Sequence, residues 1–158
     1  MSQTELTAVI DRQRLQTLFA ELQRVGDDGK AITRIVAASL LSATEQAFER
    51  ERAPDTGAAW AALSDPYRRW RERHGYSPIK VLTREGDMAR SVSIDWGDSW
   101  ARIGANVPQA AIHQWGGKPG MRPGPAAIPA RSFMGLDLTG ERDILDALAQ
   151  RLSNALHP

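Results

Sequence analysis

The chain has no cysteine. That absence excludes disulfides, thiolate metal sites and a cysteine nucleophile together, and it fits a reducing compartment. Histidine is scarce as well, three in 158 residues, and no two stand at a ligand spacing such as H-E-x-x-H. The expectation is therefore no metal and no cofactor. Charge of one sign is missing: 20 Lys and Arg balance 19 Asp and Glu to a net +1. No global field then draws the chain to nucleic acid or an anionic membrane. No run approaches the ~20 apolar residues that cross a bilayer, and the first residues show no basic-then-apolar leader. The expectation is a protein made in the cytoplasm with no membrane association. No nucleophile is recognisable either. Ser64, Ser91, Ser93 and Ser132 lie in no G-x-S-x-G elbow. Gly116-Gly117-Lys118 lacks the first glycine and the hydroxyl residue of a phosphate loop. The sequence reads as no enzyme.

What is present is an ordinary globular composition, with 42% hydrophobic and 25% charged residues. A chain of this size forms one domain and buries about 68–70% of its unfolded surface. Residues 1–10 read as an N-terminal arm, and residues 11–158 as a single domain. Leu15, Leu18, Phe19 and Leu22 recur at three- and four-residue steps after a candidate cap at Asp11. Gly26-Asp27-Asp28-Gly29 breaks that helix. A longer one is predicted from Lys30 to Arg52, striped by Ile32, Ile35, Val36, Leu40 (or Ser39), Ala43, Ala47 and Phe48. Ser64-Asp65-Pro66 starts a short helix that Gly75 ends. A helical turn is predicted at Asp87 to Ala89. Ser91 to Trp96 alternates polar with apolar, as a half-buried strand does. Gly97-Asp98 reads as its turn and Trp100 to Gly104 as the return strand, so that Trp96 and Trp100 could pair across the ladder. A last helix from Thr139 to Leu156 carries Ile144, Leu145, Leu148, Leu152 and Leu156 on one face. The fold class is α+β, helices packed on a small antiparallel sheet. Its expected core is a single set: Leu40, Phe48, Trp60, Ile94, Ile103, Leu145 and Leu148.

The densest Pro and Gly lies between Ala105 and Phe133. A short helix from Pro108 to Gln114 is closed by Gly116-Gly117, since glycine accepts the left-handed backbone that ends a helix. A long Pro/Gly-rich loop, 116–130, follows. Loops of this length inside a compact domain are usually functional or disordered. It reads as a surface arm hinged between two anchors, the helix before it and Ile128-Pro129-Ala130-Arg131-Ser132-Phe133 after it.

Four blocks in order resemble the phage virion morphogenesis family, the tail-completion proteins of Mu-like phages and prophages. They are Pro54 to Ser64 (P-x-G-x-x-W-x-x-L-S in the family), Val81 to Ser91 (I-L-x-x-T-G-x-L-x-x-S), the Ile112-His113-Gln114 block with its two glycines, and Pro129-Ala130-Arg131 followed by Phe133. Gln109 stands where the family usually has an aromatic residue, and Ser132 where it has proline. Glu85 and Met88 also depart from the second block. The resemblance covers roughly residues 53 to 137. It implies a non-enzymatic structural protein that completes the tail and makes it competent to join the head. Its partners would be phage tail and neck proteins and further copies of itself, closing into a ring because tails are rotationally symmetric. It would be found in the virion, and in the host cytoplasm during assembly.

On that reading the candidate partner-binding residues are His113, Gln114, Trp115, Met121, Ile128, Arg131 and Phe133. For His113 the plainer reading is an imidazole bonded to loop backbone. An alternative function comes from Tyr67 to His74, where Arg68, Arg69, Trp70 and Arg73 could grip phosphates and stack bases. A solvated face of an amphipathic helix is the commoner use of such a cluster, and an acidic protein partner suits it better than nucleic acid.

Overall fold

The computed structural model describes residues 12–24, 26, 29–119 and 127–158. The N-terminal arm, the Asp11 cap, Met121 and the rest of 120–126 lie outside the described residues, as does the side chain of Leu15. The elements are α1 (Arg12–Arg24), α2 (Lys30–Arg50), α3 (Asp65–Arg73), α4 (Asp87–Arg90), β1 (Val92–Trp96), β2 (Ala101–Ala105), α5 (Ala110–Trp115) and α6 (Leu138–Leu156). This is an α+β fold. Its long helix α2 packs against α6 and both strands, and α1 packs against α6.

Small side chains explain that reach. The buried face of α2 includes Ala37, Ala43 and Ala47 beside Ile32 and Phe48, so neighbours can approach its backbone closely. Gly140 does the same on α6, where an added Cβ would sit 3.3 Å from Ser39 Cβ. The Asp137 side chain caps α6 by accepting from the Gly140 N–H at 2.7 Å. At its other end α2 stops two residues short of the predicted Arg52. Glu51 takes up left-handed backbone, φ 55°, unusual without glycine. Its two acceptors account for it: Glu51 O receives the Trp60 N–H at 2.8 Å, and Glu51 Oε1 receives the Val81 N–H at 3.0 Å. Two later segments are thereby tied to the end of the helix.

The sheet is a two-stranded antiparallel hairpin in which Ile94 faces Ile103 and Trp96 faces Ala101. The expected pairing of Trp96 with Trp100 does not occur. The turn is centred one residue later than expected, because the Gly97 N–H bonds to Trp100 O at 2.8 Å. Trp100 instead folds over Gly97, where a Cβ would come within 2.5 Å of its Nε1. The hairpin tip rests on the start of α2, with the Thr33 hydroxyl bonded to Gly97 O.

The expected single core is in fact two. One cluster joins Phe48, Trp60, Leu82, Met88, Ala110 and Phe133. The other joins Leu22, Ile32, Ile144 and Leu148 from α1, α2 and α6. Leu40, Ile94, Ile103 and Leu145 are only half-buried. A hairpin with two strands cannot cover both faces, so its isoleucines keep one side toward solvent.

Candidate functional site

The three blocks around Trp60, Gln114 and Arg131–Phe133 are far apart in sequence and converge into one clasp. Gln114, buried on α5, supplies it. Its Oε1 accepts the Phe133 and Met134 N–H groups, both at 3.0 Å. Its Nε2 donates to Ser132 Oγ at 3.0 Å and to Met134 O at 3.1 Å. One amide side chain thus serves as a strand edge for the segment leaving the loop, with its donors and acceptors used. Ser132 contributes a hydroxyl to this network.

Arg131 is also buried. Its Nε donates to Ala61 O at 2.7 Å and its Nη2 to Ala62 O at 2.9 Å, while its own N–H bonds to His113 O at 2.6 Å. Trp60 Nε1 donates to Ser132 O at 2.7 Å. Phe133 is fully buried, 0% exposed, with its ring 5.3 Å from Phe48, which meets Trp60 edge-on at 5.8 Å.

The two glycines set the entry to the loop. Gly116 has φ 79°, and a Cβ there would crowd Ala130 N at 3.0 Å. Gly117 pairs with Ile128 through bonds of 2.8 and 3.0 Å, and its Cβ would meet Ile112 Cδ1 at 2.8 Å. The bridge closes residues 118–127 at their base.

The seven candidate residues are therefore divided. Gln114, Arg131 and Phe133 are turned into the body and hold the clasp; they cannot reach a partner without unmaking it. Ile128 is half-buried beside the bridge. Trp115 is 78% exposed, next to the loop base. Met121 lies outside the described residues. His113 is half-buried, and its Nδ1 has no hydrogen-bond partner among the described residues. Burial, then the charges of Arg131 and Arg71, push its pKa below the ordinary imidazole value.

The three arginines of the alternative set on α3 are exposed. Arg68 bridges Asp65 and Glu72, and Arg73 Nε donates to Arg69 O. Trp70 is half-buried and stacked with Tyr67, His74 and Tyr76 at 5.9, 4.2 and 5.9 Å. The residue that sequence reasoning missed is Arg71, only 4% exposed. It donates to the carbonyls of Lys80 and Val81 and lies 5.0 Å from the Tyr67 ring. The available signal was its i, i+4 spacing from Tyr67, which puts it on the aromatic face. Among the described residues no three His, Asp or Glu gather as metal ligands, and no helix is long and apolar enough to cross a membrane.

No solved structure matches. The chain is 51% identical over 152 residues to the putative capsid assembly protein G of Escherichia phage Mu, covering 96% of this chain and 97% of that one. It is 36% identical over 144 residues to the Mu-like prophage FluMu G protein 1 of Haemophilus influenzae, covering 90% and 92%. It is 37% identical over 134 residues to FluMu G protein 2 of the same organism, covering 85% and 86%. The model of the phage virion morphogenesis family matches residues 10–153, a span that contains every part of the clasp, and the chain belongs to that family.

Proposed function

We propose that this phage assembly protein acts without catalysis in completing the tail and joining it to the head. Its partners on this reading are tail and neck proteins and further copies of itself arranged as a ring, and its place is the virion. The observation that carries the proposal is Trp115, 78% exposed on a helix whose next side chain, Gln114, is locked into the body. A rigidly based, exposed tryptophan is the residue type that dominates binding energy at interfaces, because it buries a large area at little entropic cost. The loop closed by Gly117 and Ile128 starts two residues further on and would dock with it.

A second reading, a role in building the capsid itself, is favoured by the name of the phage Mu relative. Nucleic-acid binding through α3 is disfavoured by the pairing of Arg68 and by Glu72 on the same face. Electron microscopy of lysates from a prophage lacking this gene separates the first two. The proposal expects filled heads beside unattached tails. Absent or misshapen heads would replace it with the capsid reading.

A further inference from the structure

A groove of about 380 Å³ opens between α1, the first turns of α2, the hairpin tip and α6. The clasp does not use it. It reaches down to the second core, since Ile32, Ile144 and Leu148 form part of its lining. Trp100 lines it too and is 46% exposed. Its wall from α1 holds Gln16, Phe19, Ala20 and Gln23, spaced as one helix face. No charged residue lines it. A segment that carried a charge into it would lose hydration and gain no ion pair in return.

The stretch of chain that lies nearest is the one before α1. That helix begins at Arg12, so Asp11 and Ile10 hold its cap position and the one before it. An apolar residue before the cap often packs back on the helix and sets the angle at which the chain enters. The sequence there reads Leu6-Thr7-Ala8-Val9-Ile10. It is uncharged and rich in β-branched residues, which favour extended backbone. Extended, Leu6, Ala8 and Ile10 share one face and span about 13 Å, at about 3.3 Å per residue. From Gln16 to Gln23 the wall of the groove runs about 10 Å, and Gln16 stands about 6 Å past Arg12. A chain that reverses at Asp11 thus brings Ile10 to the Gln16 end and Leu6 to the Gln23 end.

We propose that this groove is the docking site of the chain's own residues 6–10, folded back along α1 as an extended strap. Length, register and lack of charge all suit that occupant. The seated strap covers Phe19, Val36 and Trp100, and closes to other proteins an apolar surface that an unstrapped chain exposes. It serves either reading of the assembly role, tail or capsid, because it uses neither Trp115 nor the clasp.

The test uses the full chain, whose lack of cysteine allows a nitroxide at one engineered site, Glu5→Cys. Alternation turns that position away from the groove when Leu6 faces it. Amide signals are followed by NMR. Those of Ala20, Val36 and Ala101, which line the groove, should lose most of their intensity, while Gly117 and Ile128 keep theirs. Adding Leu6→Asp and Ile10→Asp should restore the lost intensity, and unchanged amide positions elsewhere would show the fold intact. In a mixture of isotope-labelled chain without nitroxide and unlabelled chain bearing it, no signal should weaken. Full intensity at the groove in the first sample, or a loss that survives the two aspartates, would overturn the proposal. Loss in the mixture would overturn it in favour of the arm of a second copy.

Discussion

The two cores of this protein are built by different means. The cluster of Leu22, Ile32, Ile144 and Leu148 joins three helices through apolar stripes, so its members recur every three or four residues. The cluster around Phe48, Trp60 and Phe133 joins the end of α2 and the short helices α4 and α5 to segments without regular structure, those of Trp60, Leu82 and Phe133. There the backbone has few ladder partners of its own, and side chains supply them: Gln114, Arg131, Trp60 and Arg71 between them bond to the backbone of residues 61, 62, 80, 81 and 132–134. The first core holds the helices together. The second fixes the base of a loop and the position of Trp115.

Truncation in each core should be costly, with different consequences elsewhere. Phe133→Ala should lose about 3–5 kcal/mol, the range for a fully buried phenylalanine, and should speed amide exchange at Ile128 and Arg131. Leu148→Ala should lose about 2–5 kcal/mol while the Gly117–Ile128 bridge keeps its protection. Chemical denaturation with hydrogen exchange measures both. Equal exchange at Ile128 in the two variants would dissolve the distinction between the cores.

Gln114→Leu tests the polar half of the comparison. It keeps the apolar volume but leaves the Phe133 and Met134 N–H groups unbonded, at about 1–3 kcal/mol for each buried orphan. A variant as stable as the wild type would show that the clasp is held by apolar packing alone.

His113 gives a smaller, pH-dependent effect. Its folded pKa is lower than its unfolded value of about 6.5, so acid favours the unfolded chain. Its contribution is fully present above about 6.5 and lost as pH falls through the lower folded value. Stability followed from about pH 7.5 to 5 should therefore decline less in His113→Asn than in the wild type. Parallel curves would remove His113 from the set of charge-sensing groups.

How much of this could be read in the sequence follows the same division. The helices were legible because periodicity is local: α2 and α6 lie within two residues of their expected ends. The hairpin was legible as a pair of strands but its register was not, because the fold of Trp100 onto Gly97 has no pattern of its own. The clasp was visible only as a resemblance of spaced blocks. Nothing in the spacing says that Arg131 caps carbonyls at Ala61 and Ala62 across the chain, so an inward arginine looked like a surface one. Arg71 was hidden likewise among the arginines that are exposed.

The smallest effect on stability should belong to Trp115→Ala, since this side chain covers almost nothing in the subunit and surface substitutions usually fall within about 0.5 kcal/mol. It is also the most direct test of the central claim, that the clasp exists to present Trp115 and the adjoining loop to a partner. The measurement is infectious-particle yield on complementing a prophage that lacks this gene, beside a melting curve of the purified variant. The account predicts wild-type melting and a collapse in yield. Wild-type melting with wild-type yield would contradict it.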